Sequence, residues 1–259
     1  MQPRDAIASA IRAAVSDGRT ALIGYLTAGF PSRRDFADNL AAVVSTCDVV
    51  EIGVPFTDPM ADGTTIQRAS FAALADGVTL PWILQELAVR PRSPGAPAVP
   101  VLLMSYLNPL LAHGLDKLPR DAVEAGVAGF IVPDLPFEES GDLKAALDEK
   151  GLALVQMVTP VTPPARLEML CRASQGFVYA VSMTGTTGKA VQRVPDEILA
   201  YMDRVRRCAS VPVCAGFGVR SRDQVMRFAA HVDGVVVGSA LVEALERGDD
   251  VRAFLSSLR

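Results

Sequence analysis

Hydrophobic positions along the chain fall into two alternating patterns. Short apolar runs rich in β-branched residues occupy positions 21–26, 49–53, 99–104, 128–132, 152–158, 176–181, 211–215 and 234–238. Runs of this length bounded by polar or glycine-rich segments read as buried strands. Between them lie longer stretches with apolar residues at helical spacing, at 66–75, 79–89, 117–125, 138–150, 164–173, 196–209, 222–230 and 240–247. One further helix is expected after Ser32, which can cap it with Asp35 three residues on, followed by Phe36, Leu40, Val43 and Val44 at helical spacing. Residues 1–17 form an additional amphipathic helix, with Ile7, Ala10, Ile11, Ala14 and Val15 on one side.

Eight strand–helix units in 259 residues predict the α/β class and, within it, a (β/α)8 TIM barrel. The extra N-terminal helix precedes the first strand. An open doubly wound sheet is the structural competitor, but no G-x-G-x-x-G follows the first strand. The Pro-rich segment RPRSPGAPAV at 90–99 is too short to separate domains, and the rhythm continues across it, so residues 1–259 are expected to form a single domain.

Composition narrows the function classes. Half of the residues are apolar and 21% are charged, which is ordinary for a folded globular chain. The net charge of −4 and pI near 5.3 argue against a nucleic-acid binder. Mean hydropathy is +0.28, but the longest uncharged stretch, 93–115, contains four prolines, so no membrane-spanning helix is expected. Arg4, Asp5 and Arg12 interrupt any signal-peptide core. Cys47, Cys171, Cys208 and Cys214 have no CxxC spacing and read as reduced thiols. These features together lead to an expected cytoplasmic location.

A barrel of this kind carries its chemistry at the C-terminal ends of the strands. Strand alternation places Glu51 on the same face as Val49, opposite Val50 and Ile52. A carboxyl pointing into the barrel mouth among apolar groups has a raised pKa suited to proton transfer; a solvated position on the rim is the alternative. Asp62 stands where it could cap the next helix, Asp58 precedes Pro59 as a turn residue, and Asp134 is either a turn former or a site residue. Tyr179 is either barrel packing or a hydroxyl aimed at a ligand. The endings Gly216-Phe217-Gly218 and Gly238-Ser239 lie at the seventh and eighth strands, where barrels commonly bind phosphate on backbone N–H groups. The Gly/Thr-rich stretch 182–191 suits a lid. None of the four lysines lies within a strand, which disfavours Schiff-base chemistry, and His113 and His231 lack ligand spacing for zinc. What remains is metal-free carboxylate acid–base chemistry on a phosphorylated substrate.

The motifs EIGVPFTDPMADGTTIQ (51–67), LMSYLNP (103–109), GFIVPDLPFEE (129–139), FVYAVSMTGTTG (177–188), GFGV (216–219) and GVVVGSALV (234–242) occur in this order along nearly the whole chain. In this set and order the chain resembles the tryptophan synthase alpha subunit family. The resemblance implies a lyase that cleaves indole-3-glycerol phosphate by a retro-aldol reaction to indole and glyceraldehyde 3-phosphate, in tryptophan biosynthesis. It assigns acid–base catalysis to Glu51 and the indole N–H contact to Asp62. It places Tyr179 and Thr187 at the substrate, and Tyr25, Leu103, Ile131, Val158 and Phe217 around the indole. Gly188, Gly218, Gly238 and Ser239 correspond to its phosphate-binding positions. It further implies a beta subunit partner in an alpha-beta-beta-alpha complex, with pyridoxal phosphate held by that partner and no cofactor on this chain. The chain departs from the family pattern at Thr57, Thr64, Met183 and Thr186, all in the two loops that face the partner and close the site. Those departures keep two further readings open: a stand-alone lyase supplying free indole, and a weakly catalytic module that mainly activates a beta subunit.

Overall fold

The computed structural model describes residues 1–90, 98–182, 194–216 and 218–259. Eight parallel strands close into a barrel in sequence order: β1 (Ala21–Thr27), β2 (Val49–Gly53), β3 (Val101–Met104), β4 (Val127–Ile131), β5 (Ala153–Val158), β6 (Val178–Val181), β7 (Val213–Gly216) and β8 (Gly234–Val237). Closure is made by β8 against β1, with Ala21 level with Gly234. The predicted α/β barrel is therefore what the chain forms, and every strand run lies within a few residues of its expected position.

Helices α1 (Pro3–Ser16), α2 (Phe36–Val44), α3 (Thr64–Ala75), α4 (Leu80–Val89), α5 (Leu107–His113), α6 (Leu118–Glu124), α7 (Gly141–Glu149), α8 (Pro164–Ala173), α9 (Asp196–Cys208), α10 (Arg222–Phe228), α11 (Ser239–Arg247) and α12 (Val251–Ser256) complete the fold. Two were not expected. α5 is a seven-residue helix with Pro109 in its first turn, a proline that reads as a break in sequence but is tolerated there. α12 is held by Asp250, whose carboxylate accepts from the N–H groups of Arg252 and Ala253 at 2.9 and 3.1 Å. Ser32 and Asp35 do bond each other, and Asp35 is the cap residue of α2, its carbonyl accepting the Asn39 N–H at 3.0 Å, but its side chain makes no cap hydrogen bond to the helix.

Strand alternation sorts the apolar side chains into two layers. Leu22, Leu26, Val50, Ile52, Leu103, Phe130 and Val158 belong to a cluster between the barrel and its helices. Ala21, Ile23, Tyr25, Val49, Leu102, Met104, Ile131, Val155 and Tyr179 fill the barrel interior. Helix α1 lies across the N-terminal end of the barrel and adds Ile7, Ile11 and Ala14 to that interior cluster. Ala10 is half-buried, but Val15, expected on the packed face, is exposed. With one end plugged in this way, the other end is where loops meet solvent.

All four cysteines are free. Lys117 and Lys144 lie in or beside helices, and the histidines pair with carboxylates, His113 with Asp121 and His231 with Asp203, each at 2.8 Å. No helix among the described residues is long and apolar enough to cross a membrane.

Candidate active site

Glu51 is the middle residue of β2, level with Tyr25 on β1 and Leu102 on β3. Both neighbours belong to the interior cluster, so alternation carries the Glu51 carboxyl into the barrel. It is fully buried, and neither oxygen has a hydrogen-bond partner among the described residues. Burial, and secondarily the nearby charge of Asp62, push its pKa up to about 8. A native protein rarely leaves a buried carboxyl unpaired, because an unsatisfied polar group is expensive in the interior. Glu51 is thus neutral over most of the physiological range and free to meet a ligand.

Asp62 does not cap a helix. The cap of α3 is Gly63, whose carbonyl accepts from the Gln67 N–H at 2.9 Å. The Asp62 side chain turns toward the pocket and is hydrogen-bonded by Tyr106. The Tyr106 oxygen accepts the Ala61 N–H at 2.9 Å, which leaves its own proton for the Asp62 carboxylate. The Tyr106 ring stacks on Phe56 with 5.2 Å between centroids. Gln67 Nε2 donates to the Asp62 carbonyl at 2.9 Å, so both side chain and backbone of Asp62 are fixed. Burial raises the Asp62 pKa to about 6, against the opposing pull of the Tyr106 bond.

Two tyrosines complete the apolar walls. Tyr25 and Tyr179 are buried, and their phenol groups are raised well above the usual range by that burial. Each ring lies across a glycine that ends a strand. A Cβ at Gly53 would stand 2.1 Å from the Tyr25 hydroxyl, and one at Gly216 would stand 2.2 Å from Tyr179 Cε1. No side chain larger than hydrogen leaves these rings where they are. The Tyr25 hydroxyl is also within 3.3 Å of Thr27 Oγ1.

The pocket is a half-open cleft of about 420 Å³, counting the space that is open to solvent. Glu51, Asp62, Tyr25 and Tyr179 form its polar and aromatic parts, and Ile66, Met104 and Val236 its aliphatic wall. Its remaining edge is Gly218, Gly238 and Ser239. Gly238 is the cap of α11, and its carbonyl accepts from Leu241 and Val242. The N–H groups of Ser239 and Ala240 therefore have no intrahelical acceptor, and the helix dipole favours an anion in front of them. Gly218 has φ +86°, a left-handed conformation that glycine adopts freely.

The structure thus brings together Glu51, Asp62, Tyr25, Tyr179, Gly218, Gly238 and Ser239. Leu103 and Val158, expected at the indole, do not join them. Both pack in the outer cluster against the helices, and Met104, one residue on, takes the inward position in β3. Ile131 faces the interior but is not in the pocket wall. Thr187, Gly188 and Phe217 lie outside the described residues, as do Met183 and Thr186 of the expected lid. Asp58 accepts from the Thr57 hydroxyl at 2.5 Å, and its carbonyl accepts the Met60 N–H at 2.9 Å in a tight turn, the role expected for it. Asp134 ties the loop after β4 to α5 by accepting the Leu107 N–H at 2.9 Å. Sequence reasoning missed Tyr106. The only signal for it was an aromatic side chain just beyond a strand end, with nothing to show that the Asp62 loop folds over it.

The sequence family described as "Tryptophan synthase alpha chain" matches residues 11–257. The tryptophan synthase alpha chain of Solidesulfovibrio magneticus is 44% identical over 250 residues, covering 96% of each chain. A chain of Mycobacterium tuberculosis tryptophan synthase is 38% identical with a TM-score of 0.86, covering 97% of this chain and 96% of that one. A chain of the Pyrococcus furiosus tryptophan synthase a2b2 complex is 31% identical with a TM-score of 0.83, covering 92% and 97%.

Proposed function

The chain belongs to the tryptophan synthase alpha chain family, and from that premise we propose how its own residues perform the reaction. The reaction is cleavage of indole-3-glycerol phosphate to indole and glyceraldehyde 3-phosphate in tryptophan biosynthesis. Bond breaking needs the indole C3 to receive a proton, so that the electrons of the C–C bond can return to the ring. Glu51, neutral near pH 7 and unpaired, donates that proton. The resulting Glu51 carboxylate then takes the proton of the adjacent glycerol hydroxyl as the bond breaks and the aldehyde forms. The proton count at Glu51 is restored, and the ring regains its aromatic electrons.

Asp62 serves the other end of the indole. It is largely ionised above pH 6, and it accepts the indole N–H, whose acidity rises as C3 is protonated. Two carboxyls in one pocket with pKa values pushed apart, one acid and one base, are the observation that carries this assignment. Tyr25, Tyr179, Met104, Ile66 and Val236 enclose the ring. The phosphate sits before the N–H groups of Ser239 and Ala240 beside Gly218 and Gly238. No cofactor is needed on this chain for these steps; pyridoxal phosphate belongs to the beta partner. That partner assembles with this chain as in the a2b2 complex of the Pyrococcus enzyme.

The test is indole release from indole-3-glycerol phosphate by the wild-type protein and by Glu51→Gln, each with and without the beta subunit. Gln keeps the volume and removes the proton donor, so turnover falls about 10³-fold under both conditions. Unchanged turnover in Glu51→Gln overturns the assignment.

A further inference from the structure

The phosphate end of the pocket is assembled from segments far apart in the chain, and one ion pair joins them. Arg220 follows Gly218 by two residues in the loop after β7. Its Nη1 and Nη2 donate to Glu243 Oε2 and Oε1 at 2.7 and 2.8 Å, a two-pronged contact with fixed orientation. Glu243 lies on α11, one turn beyond Ser239. The same Oε1 accepts from the hydroxyl of Thr65 at 3.2 Å. Thr65 is buried on α3, three residues past Asp62. One turn further along the same two helices, Arg68 grips Glu246 at 2.9 and 2.6 Å. The Arg220 backbone is fixed as well, its N–H donating to Gln224 Oε1 at 2.7 Å on α10.

Neither Arg220 nor Glu243 lines the pocket. Their charges are spent on each other, with about a quarter of each side chain exposed. Yet the pair meets three elements that each carry part of the site: the Gly218 loop, the N-terminal half of α11, and the first turn of α3 behind Asp62. We propose that Arg220 and Glu243 are positioning residues that set the spacing of the two phosphate loops and anchor α3, and with it Asp62, to the phosphate site. The proposal rests on the reading of Gly218, Gly238 and Ser239 as the phosphate grip. N–H groups bind an anion well only where they already converge, so loosening the brace weakens phosphate binding before it affects proton transfer.

Two substitutions separate this role from plain electrostatics. Arg220→Gln leaves the Glu243 carboxylate unpaired one turn from the anion, and both accounts predict weaker binding. Glu243→Gln leaves the Arg220 cation unpaired near the anion. Electrostatics alone predicts tighter binding there, whereas positioning predicts weaker. The measurements are the Kd of glycerol 3-phosphate by calorimetry and the kcat and KM for indole-3-glycerol phosphate, with circular dichroism and Tm as checks on folding. For Glu243→Gln the expected result is a rise of about fivefold in both Kd and KM with kcat nearly unchanged, and for Arg220→Gln a rise of about tenfold or more. The inhibition constant of indole, which has no phosphate, stays at the wild-type value in both. Glu243→Gln that binds glycerol 3-phosphate as tightly as wild type or more tightly overturns the proposal, as does a lowered Tm with unchanged Kd. Wild-type protein that binds glycerol 3-phosphate no better than glycerol overturns the phosphate reading itself, an outcome distinct from either. Should Arg220→Gln fail to fold, Glu243→Gln alone decides the sign.

Discussion

The carboxyls that line the pocket and those that flank the strands at the barrel's N-terminal end are held in opposite ways. At the N-terminal end, Asp48 accepts the Leu22 N–H at 2.8 Å and pairs with Arg19 and Arg259. Asp233 accepts the Val213 N–H at 2.8 Å and pairs with Arg206. In the pocket, Glu51 is buried without a hydrogen-bond partner and Asp62 has one neutral donor, Tyr106, and no cation, among the described residues. Paired carboxylates hold strands in register, while unpaired ones store free energy that a substrate can release. Stability and reactivity are thus separated along the barrel axis within one set of strands.

The contrast breaks most completely at Glu51. Glu51→Gln loses about 10³-fold in turnover, as above, and it also changes the pH dependence of stability. In the unfolded chain Glu51 ionises near the ordinary 4.5, while in the folded protein it keeps its proton up to about 8. Between those values the unfolded state binds fewer protons than the folded one, so wild-type stability falls as pH rises. Below pH 4.5 that penalty is absent. Urea unfolding at pH 5 and pH 8.5 should show the Gln variant gaining on wild type by a few kcal/mol at the higher pH. Parallel curves for the two proteins would mean that Glu51 titrates normally.

Asp62→Asn is the next largest effect, about 10²-fold in kcat/KM, because an amide retains the contact and loses the charge. In wild-type protein the pair should give a bell-shaped kcat/KM, rising through about 6 as Asp62 ionises and falling above about 8 as Glu51 ionises. The rising limb should vanish in Asp62→Asn. Tyr106→Phe is milder, a loss of several-fold. It removes the hydrogen bond that holds the Asp62 pKa down, so the acidic limb moves to higher pH; a limb that stays in place would refute the contact. Smallest for catalysis is Asp48→Ala at the opposite end. It lowers stability by about 1–3 kcal/mol, read by thermal unfolding, and leaves kcat of the folded protein unchanged.

The sequence carried these two ends unequally. Strand periodicity placed all eight strands, and its parity put Glu51 on the Val49 face; that this face is the interior and not a solvated rim is read from the structure. The same parity, applied to β3 and β5, sends Leu103 and Val158 outward; positions carried over from the family gave them to the indole, and Met104 occupies that wall instead. Asp62 as a helix cap was a sound local expectation, but Gly63 fills the cap and frees the carboxyl. Tyr106, Ile66 and the Arg220–Glu243–Thr65 junction depend on contacts between distant segments, which no local pattern encodes. The short helices α5 and α12 are fixed by Asp134 and Asp250 more than by their own periodicity.

Helix α1 seals the lower end of the barrel with Ile7, Ile11 and Ala14, and among the described residues the pocket is lined at the opposite end, by strand ends and the loops after them. The site is therefore a blind well. On the proposed reading substrate, aldehyde phosphate and indole would share one doorway, with the Gly218, Gly238 and Ser239 edge of the pocket beside it. Traffic through such a doorway is sequential: whichever product lies nearer the rim sets the departure time of the other. A partner subunit seated over this rim would govern the whole exchange, deciding whether indole returns to solvent or moves onward.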